Sequence, residues 1–137
     1  MKMMSVLVCT HGDSAAELVK SAEMICGFQN NCTTVKFALG QSLDDLKEEL
    51  DQKINSLKGL VICLTDLKGG TPFNTLVTLK KKYTDIEIIT GVNIPMLIQL
   101  FLYRDQTNKE ELINSIISTA KNGVYRYQTS ELDEEDF

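Results

Sequence analysis

Short apolar runs rich in β-branched residues alternate along the chain with longer amphipathic stretches, and this alternation constrains the fold more than any other feature. The runs predicted as strands are residues 5–10, 33–39, 60–64, 86–90 and 124–129. The third run, LVICL, is apolar on both faces, as expected of a central parallel strand covered by helices above and below. Four repeats of strand and helix, one further helix and a last strand predict an α/β fold, a three-layer α/β/α sandwich around a mostly parallel sheet. Four strands are expected to be parallel, and the C-terminal edge strand antiparallel.

Capping residues and apolar spacing locate the helices between these strands. The predicted starts are Asp13 or Ser14, Ser42 followed by Asp45, Thr71 followed by Pro72, the turn at 91–93, and Thr107 followed by Glu110. Helical spacing predicts that the first two helices bury Ala15, Leu18, Ala22 and Ile25, and Leu43, Leu46, Leu50, Ile54 and Leu57. The third helix is expected to run from 72 to about 83, and the fifth to end at Gly123.

Length and composition indicate one globular domain and exclude nucleic-acid binding. The 137 residues are 43% hydrophobic and 24% charged, which is ordinary for a folded domain. We assign residues 1–129 to a single domain and residues 130–137, with five acids in eight positions, to an acidic C-terminal tail. Fourteen Lys and Arg against nineteen Asp and Glu give a net charge of −5, so the chain lacks the basic surface that neutralises phosphates along a nucleic acid.

Cysteine usage and the N-terminus indicate a reduced, cytoplasmic protein without a metal. The four cysteines form no C-x-x-C pair and are predicted to be free thiols, and one histidine leaves little from which to build a zinc site. The apolar run at the N-terminus is short and leads directly into THGD, which favours a strand over a secretory leader. No apolar run approaches the ~18 residues of a membrane span.

Three chemically unusual loops follow predicted parallel strands and are expected to meet at one edge of the sheet, where such folds bind ligands. They are residues 10–13, 65–72 and 91–95. His11, the only histidine, leaves the first strand beside a glycine that permits close approach of another molecule. Its imidazole is a nucleophile if an acceptor holds one ring nitrogen protonated, and Asp66 is the natural acceptor. Taken singly, a lone histidine is more often structural, and an aspartate in this position more often forms a turn or a cap.

The segment GGTP at 69–72 is a glycine turn that leads into a helix start. Such a junction presents free backbone N–H groups and the positive end of a helix dipole, so an anion is expected there, although the same dipeptides also occur in plain loop-to-helix junctions. The segment is neither a Walker loop nor a G-x-G-x-x-G turn, which excludes nucleotide binding by those routes. A nucleophilic imidazole, an orienting carboxylate and an anion cradle together indicate transient phosphorylation of His11.

Four linked motifs stand in order along the chain: THG at 10–12, SAEMICG at 21–27, DLKGGTPFN at 66–74 and GVNIPML at 91–97. In these motifs the chain resembles the mannose-class EIIA domain (EIIA-Man family) of the bacterial phosphoenolpyruvate-dependent sugar phosphotransferase system. The resemblance covers residues 4–127. It implies a phosphohistidine carrier that accepts a phosphoryl group from the small carrier HPr and passes it to a histidine of a cognate EIIB.

The resemblance also assigns roles to individual residues and implies no cofactor. It implies that His11 is phosphorylated, that Asp66 hydrogen-bonds it, and that Thr71 provides the hydroxyl that is often Ser in the family. The expected site consists of His11 and Asp66, the phosphoryl-binding residues Gly69, Gly70 and Thr71, and the supporting residues Thr10 and Asn93. The protein is expected in the cytoplasm, peripheral to the membrane through the transporter components EIIC and EIID.

A homodimer is expected from the resemblance and from the last strand itself. Members of the family exchange the last strand between subunits, which is 124–128 here. This strand alternates large and polar side chains, and in a monomer it would leave unpaired backbone groups open to another chain. Because the chain ends soon after it, a free-standing EIIA without a fused EIIB is expected.

Two alternatives stay open at this point. One is a regulatory domain of the same fold that is phosphorylated but does not relay. The other is a flavodoxin-like module that binds a small anion, with His11 only a ligand contact. Transfer of the phosphoryl group from His11 to an EIIB separates the three hypotheses.

Overall fold

The computed structural model describes residues 4–129, which form a four-stranded sheet and five helices. The strands are β1 (Met4–His11), β2 (Cys32–Phe37), β3 (Leu60–Thr65) and β4 (Ile86–Thr90). The helices are α1 (Ser14–Cys26), α2 (Leu43–Ser56), α3 (Thr71–Leu79), α4 (Ile94–Tyr103) and α5 (Lys109–Asn122). The α/β class and the four parallel strands predicted from the sequence are confirmed. The predicted acidic tail lies outside the described residues.

The strand order is β2-β1-β3-β4, and all three pairings are parallel. The chain moves from β1 outward to β2, then crosses back over β1 to β3 and on to β4. The order therefore reverses between β1 and β3, and in open parallel sheets ligands bind beyond the carboxyl ends of the strands at such a switch point. His11 ends β1 and Asp66 follows β3 directly, so both lie at this position.

Two hydrophobic cores, one on each face of the sheet, give the predicted three layers. On one face, α1, α4 and α5 cover a core that includes Val8, Ile62 and Leu97. On the other, α2 and α3 cover a core that includes Leu50 and Leu76. Every residue of β3 is buried, which confirms the prediction of a strand covered on both faces.

The helix starts agree with the predictions for α1, α2 and α4 and shift by one residue for α3 and α5. Ser42 caps α2 as predicted and accepts a hydrogen bond from the Asp45 amide at 3.0 Å. The predicted Thr71 cap of α3 is wrong, because Gly70 takes the extended N-cap conformation and Thr71 is already the first helical residue. For α5 the cap is Asn108, one residue after the predicted Thr107, and its side chain accepts from the amide of Glu111.

The helix faces are predicted correctly except near the helix ends. In α1 the inward positions are Ala15, Val19 and Ala22, and the half-buried Cys26 takes the inward position of the last turn. Ile25, predicted to be buried, is therefore 66% exposed. In α2 Leu46, Leu50 and Ile54 are buried as predicted, whereas Leu43 in its first turn is exposed. Helix α3 ends at Leu79, four residues earlier than predicted.

The fifth strand predicted over 124–129 is absent from the single chain. Residues 124–128 have no regular secondary structure, and Val124, Tyr125 and Tyr127 are exposed. A strand forms only against a pairing partner, and in the described chain this segment pairs with neither outer strand of the sheet. Exchange of the segment with a second copy stays a prediction. Among residues 4–129, no helix is both long enough and apolar enough to cross a bilayer.

Candidate functional site

The His11 and Asp66 side chains meet at the carboxyl edge of the sheet, as the sequence predicts. The ring Nδ1 of His11 lies 3.0 Å from Oδ2 and 3.2 Å from Oδ1 of the Asp66 carboxylate. The backbone amide of His11 donates to the same Oδ2 at 3.2 Å. The imidazole is 44% exposed and the carboxylate 30% exposed, so the pair lies at the surface, open to a partner.

This geometry fixes which ring nitrogen is available for chemistry. An ionised carboxylate can only accept hydrogen bonds, so in the neutral ring Nδ1 carries the proton and donates it to Asp66. The other nitrogen, Nε2, then keeps its lone pair. An imidazole held in this way is a nucleophile, and a positive charge that develops on it is stabilised by the adjacent carboxylate.

The Thr10 and Ser14 hydroxyls form a short hydrogen-bonded chain that ends on the backbone carbonyl of His11. The Ser14 hydroxyl donates to the carbonyl of His11 at 3.1 Å and lies 2.6 Å from Oγ1 of Thr10. Because the Ser14 proton is used on the carbonyl, Thr10 is the donor to Ser14. Thr10 is fully buried and reaches the His11 backbone only through Ser14, and its supporting role stays a prediction. The sequence showed Ser14 only as a helix start.

Gly70 and Phe37 lie against the imidazole of His11. A Cβ atom added to Gly70 would lie 2.9 Å from Cε1 of His11, so only glycine permits this approach. The Phe37 ring meets the imidazole edge to face, with 5.8 Å between the ring centroids and 75° between the planes. Phe37 also fixes the backbone just after His11, because its carbonyl accepts a hydrogen bond from the amide of Gly12 at 2.9 Å. Phe37 has no signal of its own in the sequence, because it lies within an ordinary strand pattern.

The sequence predicts an anion cradle at the start of α3, where the structure shows which donor groups are free. The amide of Gly70 donates to the carbonyl of Leu67 at 3.0 Å and is therefore not free, contrary to the sequence prediction for this turn. Thr71 is the first residue of α3, and among residues 4–129 its amide and its hydroxyl have no acceptor. Gly69 has φ +80°, a conformation that favours glycine, and its carbonyl accepts from the Asn74 side chain at 3.0 Å.

Asn93 is not part of the His11 cluster. Its side chain accepts from the Met96 amide at 2.9 Å, which caps α4, and donates to the carbonyl of Ala120 at 3.0 Å. Asn93 thus joins the start of α4 to the end of α5. Next to this link Gly123 packs so closely on Pro95 that an added Cβ would lie 2.7 Å from Cγ of the proline. The predicted supporting role of Asn93 is therefore, in the described chain, a structural link between two helices.

The four cysteines are free thiols in the structure. Burial raises the pKa of Cys9 to about 12, and the nearby carboxylates of Glu49 and Asp66 act in the same direction. Burial likewise raises the pKa of Cys63 to about 12 and that of Cys32 to about 11. These thiols therefore stay protonated and unreactive at neutral pH. Among residues 4–129, no three His, Cys, Asp or Glu side chains converge as a metal site would require.

Fold and site together define a doubly wound parallel α/β protein with a histidine–aspartate pair at the switch point of its sheet. Comparison with known families is more specific. The sequence model of the EIIA-man family, described as "PTS system fructose IIA component", matches residues 5–117. The chain therefore belongs to the EIIA-man family.

Individual relatives agree with this assignment. The chain is 35% identical over 124 residues to the mannose-specific EIIAB component of the PTS of Escherichia coli strain K12, a match that covers 88% of this chain and 38% of that protein. The chain thus spans well under half the length of that relative. It is 30% identical over 116 residues to the fructose-specific EIIA component of Bacillus subtilis strain 168, covering 83% of this chain and 80% of that protein.

Solved structures show the same fold. The EIIA component from Streptococcus agalactiae superposes with a TM-score of 0.83 at 30% identity, covering 90% of this chain and 97% of that one. The mannose/sorbose-specific IIA subunit from Enterococcus faecalis superposes with a TM-score of 0.84 at 24% identity, covering 93% and 96%. The second likeness concerns the fold alone.

Proposed function

We propose that His11 accepts a phosphoryl group from the phosphohistidine of HPr and passes it to a histidine of a cognate EIIB. The observation that carries this proposal is the contact between Nδ1 of His11 and the Asp66 carboxylate, which leaves Nε2 as the nucleophile at an exposed position. The protein would act in the cytoplasm, next to the membrane components EIIC and EIID that carry the sugar.

The phosphoryl transfer needs only the donor histidine, His11 and the Asp66 carboxylate. The Nε2 lone pair of His11 attacks phosphorus, the new N–P bond forms, and the N–P bond to the donor's imidazole breaks. The donor leaves as a neutral imidazole when its second ring nitrogen carries a proton. The proton on Nδ1 of His11 stays in place, so the phosphorylated ring is cationic, and Asp66 neutralises that charge. Transfer to EIIB is the same step in reverse.

Gly69, Gly70 and Thr71 form the phosphoryl-binding part of the proposed site. The phosphoryl group brings nearly two negative charges and three acceptor oxygens, by analogy with other phosphorylated side chains. The Thr71 amide and hydroxyl provide two donors at the positive end of α3, and the missing side chain of Gly70 brings this helix start against the imidazole. Gly69 provides the left-handed turn that precedes it.

Intact-mass measurement tests this proposal. The pure protein, incubated with phosphoenolpyruvate, Enzyme I and HPr, is expected to gain one acid-labile, base-stable phosphoryl group per chain. His11→Ala is expected to abolish the gain while thermal unfolding stays close to that of the wild type, because the exposed ring contributes little to the core. A gain that persists in His11→Ala would contradict the assignment of the acceptor. No gain in the wild type, with carriers shown to be active, would favour a small-anion-binding module.

A second stage separates the relay from a regulatory domain. Addition of a mannose-class EIIB to the phosphorylated protein is expected to return its mass to that of the free chain, with the phosphoryl group appearing on EIIB. Heat-denatured EIIB serves as the control for spontaneous hydrolysis. A phosphoryl group that stays on the protein in the presence of active EIIB would contradict the relay and favour regulation by phosphorylation.

The proposal includes a homodimer, in which residues 124–128 of one protomer pair with the sheet of the other. Support comes from β4, which pairs only with β3 in the described chain, and from the exposed side chains of Val124, Tyr125 and Tyr127, which are 83%, 63% and 51% accessible. Such exchange buries apolar surface and satisfies the free backbone groups of an outer strand.

Sedimentation of two truncated chains tests the dimer. Removal of residues 124–137 is expected to give a monomer or an aggregate, whereas removal of residues 130–137 alone is expected to keep the dimer. The second chain is the matched control, because it loses the tail but keeps the exchanged segment. A monomeric intact protein at micromolar concentration, or a dimer that persists without residues 124–137, would contradict strand exchange.

A further inference from the structure

Phe37 lies against the imidazole of His11 at the end of the neighbouring strand. In the parallel register of β1 and β2, His11 and Phe37 are partners, so their side chains stand on the same face of the sheet. The two rings meet edge to face at a centroid distance of 5.8 Å, an arrangement that aromatic rings prefer. Phe37 is only half-buried, and it packs on the core under α2 and α3.

The other contacts of the imidazole leave one motion of the ring unrestrained. Asp66 contacts the ring only at Nδ1, which lies within 3.2 Å of both carboxylate oxygens, so this contact does not block a tilt of the ring. A tilt away from the carboxylate weakens the hydrogen bond and with it the preference for the proton on Nδ1. Gly70 approaches the Cε1 side of the ring and carries no side chain to confine it. Phe37 is the aromatic neighbour of the ring.

We propose that Phe37 is a positioning residue that sets the tilt of the His11 ring, so that Nε2 faces an incoming phosphoryl group. The proposal rests on the proposed function in one respect, the identity of His11 as the acceptor. Nucleophilic displacement at phosphorus needs the attacking nitrogen in line with the bond that breaks, and a displacement of about 1 Å costs on the order of 100-fold in rate. In this proposal Phe37 acts only through His11, on whose ring it packs.

Three variants separate positioning from packing. Phe37→Leu keeps an apolar side chain and removes the ring, and Phe37→Tyr restores an aromatic ring at the same position. Val35→Ala is the matched control for lost stability, because Val35 lies on the same strand, is 1% exposed and packs in the same core. None of the three variants changes the proposed acceptor, His11, or the Asp66 carboxylate.

Two readouts report on the ring itself. The first is the single-turnover rate of transfer from phosphorylated HPr, measured over a range of donor concentrations so that affinity and maximal rate separate. The second is nitrogen NMR of the neutral imidazole in the unphosphorylated protein, which gives the tautomer population. The signals need no assignment, because the chain has one histidine.

We expect Phe37→Leu to slow the maximal rate by on the order of 10-fold to 100-fold, with unchanged donor affinity and a mixed tautomer population. Phe37→Tyr is expected to restore both readouts, and Val35→Ala to lower the melting temperature without changing either. The proposal would be overturned if Phe37→Leu kept the wild-type rate and tautomer, or if its loss of rate were confined to donor affinity. It would also be overturned if Val35→Ala lost as much rate, or if Phe37→Tyr did not restore it. Failure of the proposed function is distinguishable, because then the wild type itself gains no phosphoryl group on His11.

Discussion

One carboxylate oxygen of Asp66, Oδ2, accepts hydrogen bonds from both the backbone amide and the ring Nδ1 of His11, at 3.2 Å and 3.0 Å. The two donors belong to the same residue, so a single side chain fixes both the backbone and the imidazole. Asp66 follows β3, and His11 ends the neighbouring β1. The pair therefore joins the two strands at the switch point of the sheet. In the proposed transfer, Asp66 contributes the negative charge opposite the ring that would become cationic.

Substitution of Asp66 tests the role of that negative charge. Asp66→Asn keeps an oxygen that can face both donors, so the ring stays in place while the charge is lost, and the transfer rate from phosphorylated HPr is expected to fall about 100-fold or more. Asp66→Ala removes the charge and both hydrogen bonds and is expected to be slower still. Both rates are measured in single turnovers. An unchanged rate in Asp66→Asn would mean that Asp66 is only a turn residue.

Gly70→Ala tests the close approach of α3 to the imidazole. The backbone of Gly70 is extended, with φ −73° and ψ 169°, so alanine is not strained there, but its methyl group would lie 2.9 Å from Cε1 of His11. We expect a displaced imidazole, seen in its NMR signals, and a transfer rate at least 10-fold lower.

Gly27→Ala is the control for a general loss of stability. Gly27 ends α1 with φ +84° and ψ 171° and open space around it, so alanine there costs about 1–3 kcal/mol through backbone strain without any contact at the site. Its transfer rate is expected to equal that of the wild type. If Gly70→Ala also transfers at that rate, the imidazole tolerates displacement and the close approach has no functional role.

The meeting of His11 and Asp66 could be predicted from sequence because it follows from general geometry. Strands were recognised by their β-branched apolar runs, and parallel strands bring their carboxyl ends to one edge of the sheet. The cap of α3 could not be predicted in the same way. Thr71 is a favourable cap by residue type, but Gly70 adopts the cap conformation, and this shifts the helix start by one residue.

Contacts that depend on register or on long-range packing were not predictable. Phe37 reaches the imidazole only because β1 and β2 pair with His11 opposite Phe37, and nothing local indicates that register. Asn93 lies in a loop at the same edge, which suggested a supporting role, yet its side chain bridges to Ala120, 27 residues away. The segment at 124–128 has the pattern of a strand, but a strand also needs a partner, which the single chain does not supply.

The Asp51 carboxylate gives the fold an acid-sensitive contact. It accepts hydrogen bonds from the Tyr83 hydroxyl and from Nζ of Lys82, which together hold its pKa below the ordinary value of 3.8. Because the folded state favours the ionised form, the contact stabilises the fold above about pH 3.8 and is lost as the pH falls below that value. Asp51→Asn is therefore expected to lower the melting temperature near neutral pH, with the difference from the wild type vanishing in strong acid.

Glu48→Gln is the control for this pH dependence. Glu48 is an exposed carboxylate on the same helix and has no ion-pair partner among residues 4–129, so its substitution is expected to leave the melting temperature nearly unchanged at every pH. The difference in melting temperature between Asp51→Asn and the wild type could instead stay constant from neutral to acidic solution. That result would show that the shape of the Asp51 side chain, rather than its charge, stabilises the fold.

Two fully buried threonines at the ends of neighbouring strands are expected to respond in opposite ways to the same substitution. Thr10 donates its hydroxyl to Ser14, whereas Oγ1 of Thr65 has no hydrogen-bond partner among residues 4–129. Thr10→Val breaks a hydrogen bond and is expected to lower the free energy of unfolding by about 1 kcal/mol, while Thr65→Val removes an unsatisfied polar group and is expected to be neutral or stabilising. Urea unfolding of the two variants measures the difference, and each serves as the control for the other. A Thr65→Val variant that loses as much stability as Thr10→Val would mean that the Thr65 hydroxyl is satisfied in solution.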